Sequence, residues 1–84
     1  MLSTSYTVWW NHLLKKAARG ANDEDLGNVQ DVDQNHILTQ RGMLNNEEKF
    51  YIPRYLVERY DDNVLWFRIS KEEAKSSFMI NSLP

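Results

Sequence analysis

From Leu26 onward the chain is punctuated at spacings of roughly ten residues, and this rhythm constrains its fold more than any other feature. Short stretches rich in β-branched and aromatic residues alternate with clusters of Asp, Asn, Gly and Pro. Leu26 to Val32 ends at the polar turn Asp33-Gln34-Asn35 and leads into His36 to Arg41, which reads as a hairpin. Gly42 through Glu48 is a longer loop, and Lys49 to Ile52 resumes the extended chain. Pro53 then forces Ile52 out of the helical region and lacks a donor, which marks a bend or a sheet edge. Tyr55 to Tyr60 follows, Asp61-Asp62-Asn63 turns the chain, and Val64 to Ile69 alternates with Leu65, Phe67 and Ile69 on its core face. In 84 residues there is room for one hydrophobic core and not for two.

The end and the beginning of the chain read differently. Ser70-Lys71-Glu72-Glu73 has the form of a capping box, so a short helix starts there, with Ala74 and Phe78 as its apolar stripe. Near the N-terminus, Trp10, Leu13, Leu14, Ala17 and Ala18 fall at i, i+3, i+4, i+7 and i+8, with Gly20 placed as a C-cap, and this periodicity predicts a helix. A closed barrel, however, requires one more strand, and Leu14 to Arg19 is the segment left to supply it. Both readings stand at this stage. The expected layout is an N-terminal extension over residues 1–13, a β domain over 14–79 and a flexible tail over 80–84.

The order Asp25-Leu26-Gly27-Asn28-Val29, His36-Ile37-Leu38-Thr39, Phe50-Tyr51-Ile52-Pro53 with Leu56-Val57, Val64-Leu65-Trp66-Phe67 and Ser70-Lys71-Glu72-Glu73-Ala74 resembles a PRC-barrel domain. The likeness covers Asp25 to Phe78, 54 of the 84 residues, and is carried by the sequence of motifs and their gaps, not by any one of them. It implies a mainly β fold, a small barrel of about six strands with a short C-terminal helix. It also implies a module without cofactor or catalytic activity that docks onto other macromolecules, as in small stand-alone archaeal proteins that include cell-division adaptors. A ribosome-maturation factor carries the same domain, so an RNA- or ribosome-associated barrel is the alternative.

Charge and motif content point the same way. The net charge is −2, and Asp23, Glu24, Asp25, Asp31 and Asp33 are bunched in a stretch, Ala21 to Gln40, that holds no Lys or Arg. Such an edge disfavours nucleic acid as the partner. The RNA alternative requires Arg41, Lys49, Arg54, Arg59 and Arg68 to converge on one side. The start of the chain lacks the charged and apolar stretches of a secretory leader, the longest apolar run is Val64-Leu65-Trp66-Phe67, and there is no cysteine, so a cytoplasmic address is expected, with a membrane met only by peripheral contact.

Asp31-Val32-Asp33-Gln34-Asn35 opens like a calcium loop, but the sixth position is His36 and the twelfth Gly42, and a solvated turn accounts for it better. His12 and His36 lack the spacing of a metal pair. No serine lies in a nucleophile elbow, Gly20, Gly27 and Gly42 are too scattered to cradle a phosphate, and the adjacent carboxylates at 47–48, 61–62 and 72–73 fall in turns or a first helical turn. No catalytic, metal or cofactor residues are therefore assigned.

The aromatics are the functional lead. Trp66 falls on the strand face opposite Leu65, Phe67 and Ile69, and an outward Trp either docks a partner or lies beneath another element of its own chain. Tyr55 and Tyr60 flank the neighbouring strand. Trp9 and Trp10 either staple the N-terminal segment to the barrel, face a partner, or, with Lys15, Lys16 and Arg19, meet a membrane interface. The candidate protein-binding residues are thus Trp9, Trp10, Tyr55, Tyr60 and Trp66, and the expected function is a non-enzymatic adaptor that binds another protein, and itself as a homodimer, through exposed aromatic surface and a β edge.

Overall fold

A computed structural model describes Trp10, residues 12–42 and residues 46–80. The strands are β1 (Ala17–Arg19), β2 (Asp25–Val32), β3 (His36–Arg41), β4 (Glu48–Pro53), β5 (Val57–Asp61), β6 (Val64–Phe67) and β7 (Met79–Ile80), and an α-helix, α1 (Lys71–Ser77), lies between β6 and β7. The fold is mainly β, as the punctuation of the sequence requires. It is not a closed barrel. The seven strands form one sheet in the order β5-β6-β1-β2-β3-β4-β7, and β5 and β7 are its ends. The place beside β4 that a closing strand would take is filled by β7, whose Met79 and Ile80 pair antiparallel with Phe50 and Lys49. Ile80 therefore belongs to the sheet and not to a tail; Asn81 to Pro84 lie outside the described residues.

The ambiguous N-terminal segment is resolved in favour of the strand. Lys15 has φ 70°, a left-handed conformation that no α-helix continues through, and residues 12–15 form turns. β1 then enters the interior of the sheet, antiparallel to β2 and parallel to β6, with Ala18 opposite Leu65 and Arg19 opposite Trp66. Helical spacing in this stretch lost to two ladders of hydrogen bonds.

The turns follow from their residues. Asp62 and Asn63 take φ 53° and 65°, the pair of left-handed residues that a two-residue hairpin between β5 and β6 demands. Where the four residues of β2 from Asp25 to Asn28 lie against the three of β1 from Ala17 to Arg19, Gly27 takes φ +90°. A Cβ on Gly27 would stand 2.0 Å from the carbonyl oxygen of Gln40, so this bulge admits glycine alone. Ser70 caps α1, its Oγ accepting from the Glu73 amide at 3.0 Å, and the Lys71 amide donates to Glu24 Oε1 at 2.7 Å, tying the helix start to the β1–β2 connection.

One face of the sheet is the core. Leu26, Val29, Ile37, Phe50, Ile52, Leu65, Phe67 and Ile69 are buried there together with Ala18, Leu13, Trp10 and Ala74 of α1, while Phe78 packs at the margin. Thr39 lies fully buried in the same layer with no hydrogen-bond partner for its hydroxyl. The opposite, outward face carries the side chains considered next.

Candidate functional site

The candidate aromatics do not form one surface. Trp9 lies outside the described residues. Trp10 is only 2% exposed and belongs to the core, so its ring staples the N-terminal segment and presents no docking surface. Tyr60 is half-buried on the core side of β5, packed against the core cluster, and its hydroxyl donates to Asn63 Oδ1 at 3.3 Å. Tyr55, in the short 3-10 segment Arg54–Leu56, is 76% exposed, the most open of the large apolar side chains described. Trp66 is half-buried on the outward face, since Leu65 and Phe67 on either side point into the core.

Register places Trp66 between two arginines. Arg59 of β5 is its partner on one side and Arg19 of β1 on the other, so Arg19, Trp66 and Arg59 form a row across three strands on the outward face. The Arg59 guanidinium lies over the indole ring, 4.6 Å from its centroid, a cation–π stack. Around it sit Glu58 and Asp61, whose carboxylates approach the guanidinium no closer than 3.7 and 3.9 Å. Arg19 is 3.6 Å from the Asp23 carboxylate and donates to the Asp23 carbonyl at 3.2 Å. These exposed pairs are weakly attractive at most.

A second outward cluster, which the sequence reading treated as a bare turn, gathers at the β2–β3 hairpin. Asp33 Oδ1 accepts from the amides of Asn35 and His36 at 2.8 and 2.6 Å, an Asx-type turn. Its other oxygen accepts from the Tyr51 hydroxyl. The His36 ring stacks on Tyr51 at 4.2 Å and 8°. Arg54 donates to the carbonyls of Asp33 and Gln34, both at 2.8 Å, and its guanidinium lies 4.3 Å from the Trp10 centroid. Asp31, Asp33, Leu38 and Tyr51 line a shallow, solvent-open cleft of about 120 Å³. The hydrogen bond from Tyr51, with those from the two amides, holds the Asp33 carboxyl below its usual range, and the same bond pushes the Tyr51 phenol up. That direction is the reverse of what activates a phenol as a nucleophile.

The basic residues are dispersed. Arg41 donates to Glu48 Oε1 at 2.6 Å and lies 3.5 Å from Asp25, while Lys75 of α1 reaches Glu48 at 3.3 Å. This bridge, which depresses the Glu48 carboxyl chiefly through Arg41, clamps β2, β3, β4 and α1 together. Three strands separate Arg41 from Arg59, and Arg54 is committed to the hairpin carbonyls and Trp10. Arg41, Arg54 and Arg59 therefore do not converge on one side. Among the described residues no three His, Asp or Glu side chains gather in the manner of a metal site, and no helix is long and apolar enough to cross a membrane.

Sequence reasoning placed Trp66 on the outward face and missed its flanking arginines and the Asp33–Tyr51–His36 cluster. A signal for the second existed. If His36 to Arg41 and Lys49 to Ile52 pair as a hairpin, Tyr51 falls opposite Leu38 on the face that His36 shares, as the register shows. No such signal existed for Arg19, whose neighbour Trp66 is 47 residues away along the chain. Comparison with family models, with curated proteins and with solved structures finds no match for this chain.

Proposed function

We propose that this chain is a protein-binding adaptor module with no chemistry of its own, working in the cytoplasm, and that its partner docks on the outward face around Trp66. The observation that carries the reading is the row Arg19–Trp66–Arg59, a half-exposed indole with Arg59 over its ring and Arg19 beside it on the neighbouring strand. Trp and Arg are the residues most enriched where binding energy concentrates, because each offers a large contact area at one fixed orientation. The likeness of residues 25–78 to PRC-barrel domains supports a docking role, and kinship with that family is part of the proposal.

The β edges are weaker candidates than the face. β5 carries a bulge between Val57 and Arg59 and the charges of Glu58, Arg59 and Asp61, while β7 has only two residues. Bulges, charges and shortness are the devices that keep sheet edges from pairing. Self-association by edge pairing is accordingly the smaller part of the reading.

Pull-down from native lysate with wild type and Trp66→Ala, alongside size-exclusion with light scattering, tests the reading. A partner retained by wild type and lost by the variant is the expected result. A strictly monomeric protein whose captured set is the same with and without Trp66 overturns it.

A further inference from the structure

A second place on the outward face, on β2, β3 and β4, is apart from the strands that carry the Trp66 row. Register sets Asp31, Leu38 and Tyr51 side by side there, and Asp33 completes the lining of their solvent-open cleft of about 120 Å³. Leu38, half-buried, is an apolar floor between the Asp31 carboxylate on one strand and the Tyr51 ring, 38% exposed, on the other. Both carboxylates face the Tyr51 hydroxyl. Its bond to Asp33 is the chief reason that the phenol is pushed up, and the charge of Asp31 adds to the rise.

The unmatched charge at this cleft is negative. Ala21 to Gln40 contains no Lys or Arg. Among the described residues Asp31 makes no ion pair, and Asp33 has only the His36 ring, at 3.7 Å. Arg54 reaches the same hairpin, where it donates to the carbonyls of Asp33 and Gln34 and not to either carboxylate. Lys49 stands one outward row away, opposite Gln40. The acceptor oxygens then select among cations. Asp31 Oδ1 accepts from the Val32 amide at 2.9 Å, Asp33 Oδ1 from two amides, and Asp33 Oδ2 from Tyr51. Neither carboxylate has both oxygens unengaged, as the fork of a guanidinium requires, whereas an ammonium is a point charge with three rotatable donors. Lysine also lays its aliphatic stem along apolar surface while its head stays with charge. We propose that this cleft receives a lysine side chain of a partner protein, its stem on Leu38 and the Tyr51 ring and its ammonium on the unengaged oxygen of Asp31, beside Asp33. A nucleic acid is repelled by the same two carboxylates. The inference goes beyond the adaptor reading, since it names a contact on strands that the Trp66 row does not use.

The test is an amide chemical-shift titration of the full chain with a capped Gly-Gly-Lys-Gly-Gly peptide, compared with the same peptide carrying acetyl-lysine, norleucine or arginine at the centre. Exposed ion pairs are weak, so a dissociation constant of roughly millimolar order is expected, rising with salt, with shifts centred on the amides of Asp31, Leu38 and Tyr51. Acetyl-lysine and norleucine should bind about fivefold worse or more, and arginine about twofold worse. Asp31→Asn keeps an oxygen for the Val32 amide, removes the charge and should weaken the lysine peptide about fivefold, with thermal unfolding as the check that the fold is intact. Asp61→Asn, an exposed acid on β5, and Trp66→Ala should leave the affinity within about twofold. Absence of saturable shifts at the cleft, equal binding of acetyl-lysine or norleucine, or an Asp31→Asn protein that binds like wild type overturns the inference. So do larger shifts of the same amides with calcium chloride alone, which would assign the cleft to a metal ion. Partner capture through Trp66 is read separately, by Trp66→Ala in the pull-down, so either proposal can fall while the other stands.

Discussion

Two tryptophans of this protein each carry an arginine on one face, and they differ in nearly everything else. Trp10 is buried, and Arg54 above it is fixed by the carbonyls of Asp33 and Gln34, so the stack closes the core under the β2–β3 hairpin. Trp66 is half-exposed, and Arg59 above it has only long, solvent-exposed ion pairs to hold it in place. The same pair of residue types is a structural lock in one place and an open platform in the other. What separates them is the environment of the arginine. A guanidinium anchored by two backbone carbonyls is fixed in place, and one whose nearest carboxylates stand at 3.7 and 3.9 Å is not.

The largest contrast should appear on truncating the rings. Trp10→Ala empties a core position and should cost about 3 kcal/mol or more by chemical denaturation. Trp66→Ala should cost about 1 kcal/mol, since much of its surface is already in water. Equal losses would mean that Trp66 is a core residue and would break the comparison. Next come the arginines. Arg54→Ala removes two hydrogen bonds and a desolvated cation–π contact, about 2 kcal/mol, against about 0.5 kcal/mol for Arg59→Ala. Measured by the same denaturation curves, a smaller loss at Arg54 than at Arg59 would invert the assignment of lock and platform.

A finer contrast is expected at Tyr51. Tyr51→Phe keeps the stack on His36 and deletes the bond to Asp33, so a drop of about 0.5–1 kcal/mol is expected, with affinity at the Trp66 row unchanged. The smallest effect is that of acid. Asp33 has its folded pKa lowered from 3.8, first by the Tyr51 hydroxyl and then by the Asn35 amide. A depressed carboxyl stabilises the fold above its unfolded pKa, and the contribution is lost as pH falls below about 3.8 through the lowered folded value. Thermal midpoints followed between pH 6 and pH 2 should therefore fall more steeply for wild type than for Asp33→Asn. The group is solvent-exposed, so the difference is small, but parallel curves would show that Asp33 does not secure the turn that holds Arg54.

Local signals carried much of this structure. The hairpin of β2 and β3, the core face of β6 with Leu65 and Phe67, the turn at Asp62-Asn63 and the Ser70 cap each depend on residues within a few positions of one another. Alternation, capping and turn chemistry act over that range, which is why they can be read along the chain. Trp66 was legible as outward for the same reason.

The closure of the sheet was not legible, because it depends on which segment reaches the edge of β4. Met79 and Ile80 take that place only after α1 has turned the chain back, and nothing in their own composition marks them as a strand. The fate of Ala17 to Arg19 was likewise decided by two partners 11 and 47 residues away. So the amino-acid sequence by itself determined that this protein would be β-rich, with an outward Trp66 and a capped C-terminal helix, since each follows from neighbours along the chain. The tertiary structure alone decided that the sheet stays open, that Trp10 is buried, and that Arg19 and Arg59 flank Trp66. Those outcomes rest on pairing across strands, where the free energy of a contact depends on residues the local sequence does not contain.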